Sequence, residues 1–323
     1  MRILVLGAGA IGGYFGGRLA EAGVDVTFLV RPQRAKRLAK HGLVIKSPAG
    51  DAHLKVKTIG AHDHLPFETD AGEPFDVVLV TCKAYDLDDA IETIAPHVDA
   101  GAIALPVLNG MAHIDRLRDR LGHGRVVAGV CQIPARMNED GEIEHLDSMA
   151  RMVFGRLHDQ PNAIEVDPVL DALTVATLRA KFSSKRIDPI DQTLWDKWVM
   201  LATLAGMTTL MRGSIGAIMA TRDGSALMED FLQETIAVAA KSGYPPSAEY
   251  LAAIRKLLFD PNSSFTASML RDLEAGKRVE AEHIIGDMLR RAVGFGTEHR
   301  LLRAAFCHLQ TYEARQKKEK KEN

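Results

Sequence analysis

A chain of 323 residues with 46% hydrophobic side chains is long enough to fill two cores. Its 40 basic and 42 acidic residues leave a net charge of −2, which supplies no field for nucleic acid. Three cysteines, Cys82, Cys131 and Cys307, are odd in number and form no C-x-x-C pair, which suits a reducing compartment and not a disulfide framework. The longest uncharged apolar segment, residues 198–211, is too short to span a bilayer. Glycines stand where a signal peptide needs a continuous apolar stretch, so a cytoplasmic chain without membrane contact is expected.

The chain opens MRILVLGAGAIGGYFGGRLAEAGVDVTFLVR. Residues 3–6 form a short apolar run suited to a strand buried on both faces of a parallel sheet. Gly7, Gly9 and Gly12 follow in the G-x-G-x-x-G pattern, for a tight turn, an approach of pyrophosphate to the backbone, and close packing of helix on strand. The segment Gly7, Ala8, Gly9, Ala10, Ile11 and Gly12 is therefore the expected dinucleotide cradle, with a helix N-terminus facing the phosphates. Ile11, Phe15, Leu19 and Ala22 carry helical periodicity, Gly23 stops it, and residues 24–30 alternate into a second strand. An NAD enzyme usually places Asp or Glu at the end of that strand to bond the ribose 2′-hydroxyl. Arg31 stands there instead, suited to clamping a 2′-phosphate with Arg34 as a second contact, so the expected cofactor is NADP(H). The plainer alternative makes Arg31 a solvated residue at a strand end.

Residues 75–81 and 102–108 read as two more buried strands, each followed by polar residues at the carboxyl edge where ligands collect. Lys83 follows the first and Asn109 the second. Either side chain can face the cofactor crevice; equally, Lys83 can begin a helix over 86–94 in solvent and Asn109 can cap a helix starting near Met111. Residues 126–133 and 152–157 read as further strands, with a hairpin turn at 139–142, which makes the sheet mixed toward its far edge. Residues 180–186 read as the last strand, and Asp188-Pro189 marks a boundary. The expected division is a Rossmann-type, doubly wound α/β domain over 1–187 and an all-helical domain over 188–323 that closes over the crevice.

In the second half, the helix expected over 190–211 carries LWDKWVMLATLAGMTTL, and Lys197 is its last charge before the apolar run. A lysine short of hydration is a competent proton donor near neutral pH, whereas the commoner fate of such a lysine is to snorkel to the surface. A helix is expected over 264–273, stopped by Gly276, and Glu280 opens the next, with His283 and Asp287 on its face. Glu280 either orients a lysine and bonds a ribose or simply favours the helix dipole. His62 and His64 lack a third ligand, and no metal site is expected. The tail QKKEKKEN reads as a solvated, fraying helix end.

The ordered set GAGAIG, CKAY, LNGM, LWDKW and SMLRDLEAGKRVEAEHIIG resembles the ketopantoate reductases, or 2-dehydropantoate 2-reductases, over nearly the whole chain. The resemblance implies reduction of the keto group of 2-dehydropantoate by NADPH on the pantothenate route. It also implies a Rossmann domain followed by a helical domain like that of 6-phosphogluconate dehydrogenase. It puts Lys197 at the proton-donor position and Glu280 at the position that touches the cofactor and orients the lysine. Asn109 falls where cofactor and substrate are both touched, Ser268 at a substrate-binding serine, and Lys83, Ala135 and Arg31 at cofactor contacts.

One region departs from that pattern. Family members acting on 2-dehydropantoate usually carry asparagines one and two turns beyond the lysine and another later, where this chain has Leu201, Ala205 and Ile215. Lys197, Leu201 and Ala205 share one helix face, so a polar substrate wall becomes apolar. A site stripped of hydrogen-bond donors discriminates poorly in favour of a hydroxylated substrate, which implies a paralogue acting on a less polar 2-oxo acid. Thr203, Thr208, Thr209 or Arg212 restore polarity if they reach the site from another angle. A non-catalytic NADP-binding sensor is the other alternative, opposed by the retention of Lys197 and Glu280. The expected partner is a small 2-oxo acid, and the apolar segments of the helical half are compatible with a homodimer.

Overall fold

A computed structural model describes residues 1–60, 74–160 and 163–322, so His62 and His64 lie outside the described residues. In chain order the first unit runs β1 (Arg2–Leu6), α1 (Ala10–Glu21), β2 (Asp25–Leu29), α2 (Pro32–His41), β3 (Leu43–Lys46), β4 (Ala52–Leu54), β5 (Lys57–Ile59) and β6 (Val77–Val80). It continues with α3 (Leu87–Asp99), β7 (Ile103–Pro106), α4 (Ala112–Leu121), β8 (Ala128–Gln132), β9 (Ala135–Met137), β10 (Ile143–His145), β11 (Arg151–Gly155), α5 (Ala163–Thr177) and β12 (Ser183–Arg186). Two compact units result: Met1–Leu108 with His113–Ile190, and Asn109–Ala112 with Asp191–Asn323. The chain passes from one to the other beside the cis Asp188-Pro189 bond, and the excursion at Asn109–Ala112 means that the division is not a single cut in the sequence.

The first unit is built on an all-parallel sheet in the order β5-β2-β1-β6-β7, the doubly wound order of a dinucleotide-binding fold. Its strands read as unbroken apolar runs because both faces are covered. Ile3, Val5, Val77, Leu79, Ile103 and Leu105 join one core with α1, while Leu4, Leu6, Val78, Val80 and Ala104 join another with α3. The glycines of α1 allow close approach on two sides, since Gly16 faces Phe28 and Val5 while Gly17 faces Leu43 and Ile45.

The expectation of one sheet mixed toward its far edge holds in part. β4-β3-β10-β9 form a separate four-stranded sheet, and β12-β11-β8 a three-stranded one. The latter continues from β7 through a parallel bridge of Val126 to Ala104, with β8 antiparallel to β11. The hairpin at 139–142 is present, closing β9 on β10 with Met137 opposite Ile143. β10 pairs with β3, and the sheet lies over α1, which explains why Leu43, Ile45 and Ile143 are fully buried in strands this short.

The second unit is helical throughout its described residues: α6 (Asp191–Met211), α7 (Ile215–Met219), α8 (Gly224–Lys241), α9 (Ala248–Leu258), α10 (Ser268–Glu274), a π-helical turn at Glu282–Gly286, α11 (Asp287–Phe295) and α12 (Arg300–Glu322). α6 is apolar nearly all round and sits in the middle of the core, against Phe231, Ile285 and Met288 among others. α10 starts later than the expected 264, because Phe265 and Ser263 turn their carbonyls to the N–H groups of Ile215 and Gly216 and are held extended. No helix among the described residues is long and apolar enough to cross a membrane.

α12 is capped from a neighbouring helix. The buried carboxylate of Glu234 on α8 accepts the N–H groups of Leu301 and Leu302, both at 2.9 Å, satisfying donors that a helix start leaves open. Glu234→Ala is expected to cost about 3 kcal/mol, two charge-assisted bonds being lost in a dry site. Urea unfolding monitored by circular dichroism measures it, and an unchanged midpoint contradicts the capping role.

Candidate active site

In the first unit the glycine loop has the shape a dinucleotide requires. Gly7 adopts φ +96° and donates to the Leu29 carbonyl at 2.9 Å, turning the chain sharply off β1. A Cβ on Gly12 would stand 2.2 Å from the Gly7 carbonyl oxygen and 2.3 Å from Thr81 Oγ1, so only glycine lets α1 start this close to the strand. A Cβ on Gly9 would meet nothing within 4 Å. That open side of the loop is a cradle that a side chain would fill, and the first turn of α1 holds no acidic residue against an anion. The residues present therefore fit a pyrophosphate at the N–H groups of Ala10, Ile11 and Gly12.

Arg31 follows the end of β2 by two residues, caps α2 in extended conformation, and is exposed, with its guanidinium 3.2 Å from the Asp86 carboxylate. Lys83 is exposed at the head of a 3₁₀ turn, Ala84–Asp86, that leads into α3. Ala135 opens β9 opposite His145. Arg34, the expected second phosphate contact, is engaged by two backbone carbonyls. Its Nε donates to the Ala8 carbonyl at 3.0 Å and its Nη1 to the Gly141 carbonyl at 2.9 Å.

Asn109, Lys197, Glu280 and Ser268 all belong to the second unit. Lys197 is half-buried one turn into the charged start of α6, between Asp196 and the buried Trp198. Burial holds the Asp196 carboxyl above its usual range, against the pull of the Gln192 amide that donates to it at 2.9 Å. Tyr250 donates to the Asp196 carbonyl at 2.6 Å, which fixes this turn of α6 from α9. Glu280 is half-buried and its carbonyl accepts the Ile284 N–H at 3.1 Å, so it does open the next helix. That helix begins as a π turn, a form that recurs at functional sites because it frees a carbonyl from the ordinary ladder.

The π turn is tied to the other elements at two points that sequence reading missed. Trp198 Nε1 donates to the Ile284 carbonyl at 3.0 Å, linking the residue after Lys197 to the segment after Glu280. Gly110, next to Asn109, lies so close to the His283 carbonyl that a Cβ there would be 2.6 Å from its oxygen. The three candidate residues are thus borne on segments joined by buried contacts. The only sequence signals were a tryptophan beside the lysine and a glycine after the asparagine. Asp287, buried on α11, is held by Arg290 at 3.4 Å and Arg291 at 3.3 Å.

The apolar replacements divide. Leu201 is half-buried, whereas Ala205 and Ile215 are fully buried in the helical core. The threonines do not restore polarity. Thr203, Thr208 and Thr209 are fully buried and donate to the carbonyls of Val199, Leu204 and Ala205 at 2.9, 2.7 and 2.6 Å. Ser268 is exposed as the first residue of α10.

A parallel sheet carrying a glycine cradle, followed by a helical unit, defines an oxidoreductase of the Rossmann class. Residues 3–159 match the family model described as ketopantoate reductase PanE/ApbA, and residues 189–313 match the model of its C-terminal domain. The chain belongs to the ketopantoate reductase family. It is 32% identical to the uncharacterized oxidoreductase YkpB of Bacillus subtilis (strain 168), over 97% of this chain and 99% of that one. Among solved structures it resembles the PanE/ApbA family ketopantoate reductase from Ralstonia eutropha JMP134, at 26% identity and a TM-score of 0.82, covering 98% of this chain and 100% of the other. A ternary structure of D-mandelate dehydrogenase with NADH and anilino(oxo)acetate gives a TM-score of 0.83 at 19% identity, covering 98% and 100%, which is a likeness of fold.

Proposed function

We propose that this chain reduces a 2-oxo acid to the 2-hydroxy acid with NADPH, and that its substrate carries a less polar side chain than 2-dehydropantoate. The observation that supports this best is the assembly of Asn109, Lys197 and Glu280 on segments locked together through Trp198 and Gly110, with the half-buried Leu201 one turn beyond the lysine on α6. A reduced nicotinamide, when bound, supplies the hydride to the carbonyl carbon. Lys197 gives a proton to the carbonyl oxygen as negative charge grows on it, and Asn109 donates to the same oxygen. Glu280 orients the lysine ammonium. Leu201 offers the substrate an apolar contact where a donor would otherwise stand. The wider fold accommodates such ligands, since D-mandelate dehydrogenase holds anilino(oxo)acetate.

NADPH oxidation with 2-dehydropantoate beside branched and aromatic 2-oxo acids tests the reading. The expected result is a higher kcat/KM for one of the less polar acids; efficient turnover of 2-dehydropantoate alone overturns the substrate class. Cofactor choice rests on Arg31. Its exposed pairing with Asp86 is worth little in water, so a 2′-phosphate can displace the carboxylate. Arg31→Ala is expected to raise KM for NADPH by about 10- to 100-fold and leave KM for NADH nearly unchanged. Equal effects on both dinucleotides remove the assignment to the phosphate.

A further inference from the structure

Arg34 sits on α2, outside the glycine loop, yet both of its bonds reach across the first unit. Nε holds the Ala8 carbonyl, inside the loop, at 3.0 Å, and Nη1 holds the Gly141 carbonyl, in the β9–β10 turn, at 2.9 Å. The third nitrogen, Nη2, is buried and has no hydrogen-bond partner among the described residues. A guanidinium held by Nε and Nη1 on two backbone oxygens presents a fixed fork, which an ammonium on a flexible stem does not reproduce. The turn itself is shaped around it. Gly141 has φ +72°, and a Cβ there would stand 2.6 Å from Arg34 Nη1 and 2.8 Å from Arg37 Nε. Glycine at 141 is therefore what leaves room for Arg34 to seat.

We infer that Arg34 is a positioning residue that sets the glycine loop for the cofactor by clamping it to the β9–β10 turn, and that it does not read the 2′-phosphate. The carbonyl and N–H of one trans peptide point opposite ways. Holding the Ala8 oxygen on the hairpin side turns the Gly9 N–H to the other side. The same hairpin carries Ala135, another expected cofactor contact, so one side chain aligns two parts of the dinucleotide site. Arg31, one turn earlier, is exposed and paired at its tip with Asp86, which leaves phosphate recognition to it. This inference rests on the proposed nicotinamide site and adds the element that shapes it.

The test is fluorescence titration of the full chain with NADPH and NADH separately, for Arg34→Lys, Arg34→Met and Gly141→Ala, with thermal unfolding as a check on folding. Each variant is expected to weaken both dinucleotides by a common factor of about tenfold, leaving their ratio as in the wild type. The Arg34→Met, Gly141→Ala double variant is expected to be no worse than either single one, because both break the same clamp. Arg31→Ala, in contrast, shifts the ratio. A loss confined to NADPH in the Arg34 variants makes Arg34 a phosphate contact and overturns the inference, as does undiminished binding of both. Arg34→Lys keeps the charge and supplies the readout if Arg34→Met does not fold. A wild-type chain that binds neither dinucleotide defeats the proposed function itself, whereas these other outcomes defeat only the role of Arg34.

Discussion

Lys197→Ala is expected to lower kcat by roughly 10²- to 10⁴-fold while the affinity for NADPH stays close to that of the wild type, because general-acid help is lost and the dinucleotide cradle is untouched. The setting of Lys197 favours a chemical role over a solvated one. It stands half-buried where α6 passes from Asp191 and Asp196 into a run in which Trp198, Val199 and residues 202–209 are all buried. A lysine that merely snorkels at such a place loses little when truncated, since its head stays in water. The packing around it is stiff: Tyr250 pins the preceding turn and Trp198 the following one. Alanine at 197 therefore removes the ammonium without loosening the helix, and the measured loss reports on proton transfer. The kinetics should carry a second signature, with the limb of the pH–rate profile that belongs to the acid absent from the residual rate. Wild-type turnover in Lys197→Ala makes the residue structural and sinks the mechanism.

What the sequence made legible follows from how strongly local pattern constrains each element. The first βαβ unit was readable almost to the residue, because a strand buried on both faces, a glycine turn and an amphipathic helix leave little freedom in register. α6 was readable for a similar reason, its apolar surround and acidic start permitting only a central helix. The second layer was not. Strands of three residues such as β4 and β9 carry too few alternations to register as periodic, and their sheet with β3 and β10 is laid down against the glycine face of α1. The threonines of α6 read as polarity, yet at i−4 spacing a hydroxyl is satisfied by its own helix. The two carbonyls that Arg34 holds are 26 and 107 positions away, and nothing local in the sequence shows them. Likewise the π turn depends on Trp198, which lies 86 positions away from its acceptor. Candidate residues were visible by type and order; the contacts that hold their segments together were long-range.

The loop itself offers a contrast between two glycines three residues apart, Gly9 and Gly12. Gly12→Ala is expected to destabilise the chain by about 1–3 kcal/mol and to weaken NADPH by about 10- to 100-fold. The new methyl would press on the Gly7 carbonyl, which is backbone, and on Thr81 Oγ1, which is held in place by donating to the Leu6 carbonyl at 2.8 Å. Neither neighbour gives way cheaply, so α1 must move off β1, and its first-turn N–H groups move with it. Gly9→Ala differs in kind. Gly9 has φ −83°, which alanine adopts freely, and its added carbon meets no atom of the described residues within 4 Å. Its unfolding midpoint should match the wild type, while NADPH affinity should fall as steeply as in Gly12→Ala, because the methyl occupies the space reserved for pyrophosphate. Paired thermal unfolding and cofactor titration separate the two: one variant loses stability and binding together, the other binding alone. If Gly9→Ala binds NADPH like the wild type, the open face of the loop is not where phosphate approaches, and the dinucleotide must be sought elsewhere on the chain.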